Sequence, residues 1–442
     1  MRIPQHELRC DYAIIGAGMG GLAAADTLAA RFPGARIAIF EAASELGGRV
    51  RSKTLDSDAS DELAVIELGA GRYHPRRHRR LSRLIGDLGI ATRPFAYEMV
   101  RNTPGACSFD APATLERLHR LRDTAPAGAS FRTVVEAELG PIGFEALVQL
   151  SGYDTLRRDE LPFIHGLEII SAHPETETIW TGDPGEWRSI TAGFHQLPER
   201  LAARLDGRVA IHFNHRVKRL VRDAGRITGL EAIGPRGTVE VRCRQVICAT
   251  ALHDLLALSD TACAAVDYRA AIVDVPLVKG YIEFEAAFWP QAGRAHGQCV
   301  ISACPFRKLY FSASRPRLFF YCDGGSAERL TSLLESASLP DVFKQNLPLI
   351  LPKADAALAV AKRWGAQHWA RGISFWAGGE QRVEGPIWVP EPGLAFLSDI
   401  NTAELGWLEG ALLTAAALGE RLAEPQLRAD RGATDNFLHS HH

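Results

Sequence analysis

The sequence predicts an α/β fold: a parallel-sheet layer joined to a second, mixed sheet, with a helical insert between them. Three observations carry this. A buried-strand run, Asp11–Ile15, leads through the glycine-rich Gly16-Ala-Gly-Met-Gly-Gly21 into a helical stretch from Leu22 to Arg31. After the break Phe32-Pro-Gly34, a second strand run, Arg36–Phe40, ends at Glu41. Four further apolar runs of strand length, Leu277–Phe284, Cys299–Ala303, Leu309–Ser312 and Leu318–Cys322, cluster late in the chain and read as a separate sheet.

Between these blocks the elements follow in order. From Pro75 to Gly89, Leu81, Leu84, Ile85 and Leu88 fall at i, i+3, i+4, i+7, which is one helix face. Arg76, Arg77, Arg79 and Arg80 then read as its solvated side. Residues 101–190 carry mixed helical patterns. Gly193–Leu205 reads as a helix, and Val209–Phe213, Val239–Val241 and Val246–Ala249 as short strands. Gly385-Pro and Pro390-Glu-Pro-Gly393 read as a linker, Leu394–Leu397 as a strand, and Gly406–Leu422 as a final helix. The tail, 425–442, is expected to be loose.

At 442 residues and 46% hydrophobic content the chain is long enough for two or three domains with real cores. Its 50 basic and 52 acidic residues leave a net charge of −2, which gives no global pull toward nucleic acid or anionic membrane. No run approaches 18 uncharged apolar residues, so no bilayer span is expected. The N-terminal apolar run lacks a cleavage site and does not read as a signal peptide. The eight Cys form no CxxC and no zinc spacing, so no metal site is expected; free thiols in a reducing cytoplasm are.

Gly16, Gly18 and Gly21 form GxGxxG directly after a strand and at the mouth of a helix. The glycines permit a tight turn and close approach to a pyrophosphate, and the helix N-terminus supplies N–H groups and its positive dipole end. Glu41, 20 residues after Gly21, is placed to accept hydrogen bonds from a ribose diol. This is a Rossmann-like dinucleotide unit.

The next segment decides which dinucleotide. Glu45-Leu-Gly-Gly-Arg-Val-Arg51 resembles the second glycine signature of the flavin amine oxidase superfamily, whose Gly-Gly-Arg, here with Gly48 and Arg49, passes the phosphates of FAD. Four other segments resemble that superfamily. Glu67-Leu-Gly-Ala-Gly-Arg-Tyr73 is similar to its flavin-contact loop (Gly69, Ala70, Gly71, Arg72). Arg216-Val-Lys-Arg-Leu220 is similar to the strand whose backbone, at Val217, meets the adenine. Pro276-Leu-Val-Lys279 is similar to the strand bearing a lysine near flavin N5. Ser398-Asp399 with Gly406-Trp-Leu-Glu-Gly-Ala411 is similar to the segment that closes on ribityl chain and ring, through Asp399, Gly406, Trp407 and Leu408.

Ile66–Tyr73, Gly152-Tyr-Asp154, His173-Pro-Glu175, Arg307-Lys-Leu-Tyr-Phe311, Leu318-Phe-Phe-Tyr321 and Trp369-Ala-Arg-Gly372 further resemble the L-amino-acid oxidase branch, in particular the bacterial L-tryptophan oxidases of violacein biosynthesis. The resemblance runs from about residue 10 to 422.

The resemblance implies an FAD enzyme that takes a hydride from an amino-acid Cα to flavin N5, giving an imino acid and, with O2, hydrogen peroxide. A plain amine or polyamine oxidase, or a non-catalytic flavoprotein, is the alternative. Arg72 would hold the substrate carboxylate with its planar fork; a phosphate contact or a solvated arginine is the other reading. Lys279 would stand near N5, unless it is an edge-strand lysine that blocks aggregation. Tyr310 would add a phenol to the carboxylate site, or else be a core tyrosine. Trp407 would wall the pocket near the flavin. Tyr153, His173 and Trp369 are weaker candidates for an aromatic pocket. Arg371 departs from the histidine, and Leu405 from the cysteine, that the tryptophan oxidases carry.

No Cys lies between Arg371 and Gly393, where covalent monoamine oxidases attach their cofactor, so the FAD is expected to be non-covalent. The fold implied is discontinuous: an FAD domain from 1–70, 190–265 and 393–424, a substrate domain from 71–100 and 266–392, and a helical subdomain over 101–189. The family also implies a homodimer. A downstream enzyme that takes the imine is the expected pathway partner.

Overall fold

A computed structural model describes residues 6–55, 65–102, 110–126, 128–171, 173, 176–177, 185–258, 271–313, 315–377 and 385–422. The tail and residues 174–175 of the His173-Pro-Glu175 motif lie outside these. Two six-stranded sheets dominate. The first runs Ile387–Glu391, Leu394–Leu397, Gln245–Cys248, Tyr12–Ile15, Ile37–Phe40, Val209–His212, all parallel except the edge strand Ile387–Glu391. Tyr12–Ile15, Ile37–Phe40 and Leu394–Leu397 are buried at every position. Strands covered on both faces read as continuous apolar runs, which is why these were legible in the sequence.

Helix Met19–Arg31, helix Gln196–Arg204 and the final helix, 408–422, cover one face, and Leu22, Leu28, Leu201 and Leu418 interlock there. The other face meets a four-stranded sheet, His6–Arg9, Gly237–Arg242, Arg226–Gly234 and Arg216–Asp223, through Leu220, Ile227 and Leu230.

The second large sheet orders Ala361–Trp376, Ile272–Phe284, Arg317–Asp323, Lys308–Phe311, Gln298–Ser302 and Glu98–Asn102. Strand Ile272–Phe284 alternates as its sequence requires. Val278, Ile282 and Phe284 point to a core shared with helices Gly324–Leu334 and Leu339–Ile350, while Tyr281 packs on the opposite side with Ile66 and Leu68. Because this strand is flanked on both sides, Lys279 is not an edge lysine. Helices Ala111–Arg120, Phe131–Ser151 and Phe163–Ser171 form a separate layer around Phe131, Phe144 and Leu147, closed by Val275 and Phe375 of the sheet.

Two readings need correction. The segment read as a linker is a hairpin: Ile387–Glu391 pairs antiparallel with Leu394–Leu397, and Gly393 (φ +86°) makes the turn. Pro390 is tolerated because this is an edge strand. Arg77 is not solvated. It lies 2.7 Å from Glu168 and 3.7 Å from Glu404, with a side chain 31% exposed.

No helix among the described residues is long and apolar enough to cross a membrane. The six described cysteines form no disulfide, and no cluster of metal-ligating side chains occurs among the described residues.

Candidate active site

The glycine turn lies at the C-terminal edge of the parallel sheet. Gly16 adopts φ +99°, and a Cβ on Gly21 would stand 2.0 Å from the Gly16 carbonyl, so both positions require glycine. No side chain caps helix Met19–Arg31 at Gly18. Glu41 turns back onto the turn and accepts from the Ala17 N–H at 2.7 Å and the Ala43 N–H at 2.7 Å, which fixes the carboxylate beside the loop. Gly18 bridges to Gly47, and Gly48 (φ +57°) passes against the Gly18 backbone. The two glycine motifs thus form one cradle.

Arg49 leaves this cradle sideways. Its guanidinium pairs with Asp399 at 3.1 Å and donates to the Gly372 carbonyl at 3.0 Å. Asp399 in turn accepts from the Gly406 N–H at 2.9 Å, and Gly406 adopts φ +77°. The loop 67–72 closes another side. A Cβ on Gly69 would stand 2.0 Å from the Arg49 carbonyl, and one on Gly71 would meet Glu67 at 2.9 Å. Ala70 and Leu408 pack partly buried on the core beneath. Val217 is half-buried in the four-stranded sheet, beside an irregularity in its ladder with Arg226–Gly234. These backbones lie too close for side chains, and that suits a cradle for an extended dinucleotide.

Lys279 reaches from the second sheet across to this loop and donates to the Gly69 carbonyl. Glu67 lies beside it, accepting from the Ser52 hydroxyl at 2.6 Å and the Phe194 N–H at 2.8 Å. Desolvation lifts the Glu67 carboxyl to about 7, against the opposing pull of those hydrogen bonds and of Lys279. The folded chain then keeps a proton that the unfolded chain has lost, so stability falls as pH rises from the ordinary carboxylate range through about 7. Urea midpoints taken between pH 5 and 8 are expected to show this slope, and Glu67→Gln is expected to flatten it.

Arg72 stands at the end of the loop, half-buried, and its two terminal nitrogens diverge to two phenols. One donates to the Tyr310 hydroxyl at 3.3 Å, the other to the Tyr153 hydroxyl at 3.1 Å. Its guanidinium also lies over the Phe95 ring, 5.4 Å from the centroid. The Tyr153 hydroxyl is 2.9 Å from His173 Nδ1. From there an aromatic wall continues: His173 to Trp407 at 5.0 Å, then Trp407 to Trp187 at 5.3 Å and to His78 at 4.6 Å between ring centroids. Tyr310 packs edge-on to Tyr97 at 5.1 Å. The structure therefore brings Arg72, Tyr153, His173, Tyr310 and Trp407 together.

Two candidates for the aromatic pocket lie elsewhere. Trp369 donates its indole N–H to the Leu68 carbonyl at 2.7 Å, so it braces the loop from the sheet side. Arg371 turns outward: its side chain is 41% exposed and pairs with Asp254 at 2.9 Å and Asp274 at 3.3 Å. The ladder with Ile272–Phe284 is irregular here, with 370–372 standing opposite the single residue Pro276, and Arg371 turns to the two aspartates. Leu405 packs partly buried against the helical layer.

Sequence reasoning missed Phe95, Tyr97, Trp187, His78 and Lys308. Phe95 and Tyr97 alternate just before a strand, which was the available signal. Lys308 is wholly buried, with its ammonium over the Tyr153 and Tyr321 rings. It also faces Asp323, which accepts from the Asp154 N–H at 3.0 Å and so anchors the turn that carries Tyr153. Desolvation, with help from Arg77 and His74, pushes His78 down to about 3, so its ring against Trp407 is neutral. Glu409 accepts from the Arg80 and Leu81 N–H groups at 2.9 and 2.8 Å, capping helix Arg79–Asp87 from the final helix.

An L-amino-acid oxidase of Protobothrops flavoviridis is 23% identical over 93% of this chain and 89% of its own length. A putrescine oxidase of Kocuria rosea is 34% identical over 29% of this chain and 23% of its own length. Among solved structures, putrescine oxidase bound to putrescine superposes with a TM-score of 0.68 at 18% identity, covering 95% of this chain and all of that one. Cyclohexylamine oxidase from Brevibacterium oxydans IH-35A gives 0.69 at 16% identity, covering 94% and 99%. Residues 19–417 match the sequence profile of the flavin containing amine oxidoreductases. With most of its length inside that match and its two glycine motifs folded into one cradle, the chain belongs to the flavin containing amine oxidoreductase family.

Proposed function

We propose that the chain is an FAD-dependent L-amino-acid oxidase that acts on L-tryptophan or another aromatic L-amino acid. The observation that carries this is the Arg72 fork, half-buried between two phenols and an aromatic ring at one end of an aromatic wall. A guanidinium with its terminal nitrogens spread in one plane matches a carboxylate, and a plain amine gives it nothing to bind.

A bound FAD would accept the hydride at N5 and pass the electrons to O2. Gly16, Gly18, Gly21 and Glu41 would hold its adenosine and pyrophosphate end, and Gly48 and Arg49 would flank the phosphates. Gly69, Ala70, Gly71, Asp399, Gly406, Trp407 and Leu408 would hold the remainder. With no cysteine between Arg371 and Gly393, the cofactor is held non-covalently. In this reading 1–70, 190–265 and 393–424 make up the cofactor domain. The residues 71–100 and 266–392 make up the substrate domain, and 101–189 the helical subdomain.

The chain's own residues then have distinct tasks. Arg72 takes the α-carboxylate, with Tyr310 and Tyr153 fixing the plane of its fork. His173, Trp407 and Trp187 offer ring faces to a flat side chain. Hydride loss needs a neutral amine, since an ammonium cannot push electrons toward the breaking C–H bond, and the apolar wall favours that neutral form by excluding water. Lys279 holds a fixed positive charge beside the loop, suited to stabilise the anionic character that develops when O2 is reduced.

The reading is tested by peroxide release from the yellow protein over the L-amino acids, with tryptamine and D-tryptophan as controls. Turnover of aromatic L-amino acids with none of tryptamine is the expected result. Turnover of tryptamine or a diamine alone would make the chain an amine oxidase. Bound flavin that no substrate reduces would make it a non-catalytic flavoprotein. Lys279→Met is expected to slow flavin reoxidation more than flavin reduction. Stopped-flow measurement of both half-reactions checks this, and equal slowing would remove the oxygen-side role.

A further inference from the structure

Two thiols meet at the N-terminal ends of the parallel strands, the end opposite the glycine turn. Strand His6–Arg9 pairs in parallel with Gly237–Arg242, Arg9 facing Arg242; strand Tyr12–Ile15 pairs in parallel with Gln245–Cys248, Tyr12 facing Gln245. Both ladders keep the same offset, so Cys10 and Cys243, at the link between them, face each other. The Cys10 N–H donates to the Arg242 carbonyl at 3.1 Å, and the Arg244 and Gln245 N–H groups donate to the Asp11 carbonyl at 3.1 and 3.2 Å. Neighbouring strands lie about 4.8 Å apart. That is inside the roughly 4.4–6.8 Å that a disulfide spans between Cα atoms. The two thiols stand close enough to shift each other's acidity. Both line a polar surface cavity of about 690 Å³, with Arg9, Arg36, Glu240 and Arg242 around it.

We propose that Cys10 and Cys243 are a peroxide-oxidised dithiol whose disulfide staples the first strand of the parallel sheet to its neighbour. Cys243 is the nucleophile. The hydrogen bond from Cys10 holds its pKa below the ordinary thiol range against desolvation, helped by the Ala13 and Gln245 N–H groups and Arg226. Hydrogen bonding to Cys243 and burial push Cys10 up, so it waits as the resolving thiol. The Cys243 thiolate attacks one oxygen of hydrogen peroxide: the S–O bond forms, the O–O bond breaks, and hydroxide leaves and takes up a proton as water. The Cys10 sulfur then attacks Cys243: the S–S bond forms and the S–O bond breaks, and a second water leaves with the Cys10 proton. Two thiols lose two electrons, and one peroxide is reduced to two waters. By contrast, Cys248, Cys304 and Cys322 are wholly buried, and burial pushes their thiols up.

The test uses the purified full-length protein with Cys107→Ser and Cys263→Ser, given a few equivalents of added hydrogen peroxide. Non-reducing peptide mapping is expected to find one linked pair, Cys10 with Cys243, two fewer titratable thiols, and full reversal by dithiothreitol. Cys10→Ser is expected to stop at a Cys243 sulfenic acid that dimedone traps, while Cys243→Ser gives no oxidised Cys10. The oxidised protein is expected to melt several degrees higher, because the bridge closes a long stretch of chain. If Cys10 and Cys243 remain fully alkylatable at a peroxide dose that oxidises glutathione, or if either pairs elsewhere, the dithiol is overturned. An unchanged melting temperature overturns the staple. Because the oxidant is added, failure of the amino-acid oxidase reading leaves this test standing.

Discussion

Arg72→Ala is expected to lower kcat/KM for an aromatic L-amino acid by on the order of 100-fold, about 3 kcal/mol of lost binding to the transition state. The loss combines two effects. The carboxylate loses its only proposed charged partner, and the Tyr153 and Tyr310 phenols, now 3.1 and 3.3 Å from the guanidinium, lose their shared anchor. Flavin content is expected to stay near normal, because the cradle is built from other backbones. The decisive comparison is substrate against its decarboxylated analogue. Selectivity for L-tryptophan over tryptamine should collapse, and Arg72→Lys should recover part of it, as charge returns without the fork. Unchanged selectivity in Arg72→Ala would leave the arginine a structural role only.

The second large effect concerns stability. Glu283→Gln is expected to destabilise the chain by about 3–5 kcal/mol, read as a shift in the urea midpoint. Glu283 closes strand Ile272–Phe284 and is buried between two guanidinium groups. Arg317 pairs with one carboxylate oxygen and Arg363 with the other, the latter at 2.6 Å. Arg317 itself is 1% exposed, so removing the carboxylate takes away the negative charge that the buried cation is paired with. Burial pushes the Glu283 pKa up, but hydrogen bonds from both arginines outweigh it and hold the group below the ordinary carboxylate range. Its contribution is therefore present at neutral pH and lost as pH falls below that range. An acid-unfolding curve of the Gln variant should lack that component.

Much of this was legible in the sequence where local physics is sufficient. The strand–glycine–helix opening and Glu41 announce themselves because backbone approach permits only glycine and strands buried on both faces read as continuous apolar runs. Arg72, Lys279, Tyr310 and Trp407 were singled out by the resemblance of their segments to the flavin amine oxidase superfamily, not by local physics. The rest depends on long-range pairing. Strand Ala361–Trp376 was not read at all, since it alternates half-buried with exposed residues and carries Lys362 and His368 on its exposed positions and Arg363 and Gln367 on its half-buried ones. Pro390 disguised an edge hairpin as a linker. His78 and Arg77 look like part of a basic surface run, yet the tertiary packing of Glu404, Trp187 and Trp407 draws them inward. The direction of Arg371 depends on the bulge that 370–372 makes opposite Pro276, which no local pattern announces.

The closure from the C-terminal segment carries a consequence for how the protein comes into being. Asp399 and Glu409 reach back to Arg49, Arg80 and Leu81 across 328 to 350 residues of chain. During synthesis Arg49 emerges 350 residues before Asp399, the carboxylate it pairs with. The chain can fold its first βαβ unit early, yet a ribosome-bound intermediate lacking the segment around 399–409 has an open cleft and an uncapped helix. The pairing of Asp399 with Arg49, and the capping of helix Arg79–Asp87 by Glu409, are thus late events of biogenesis.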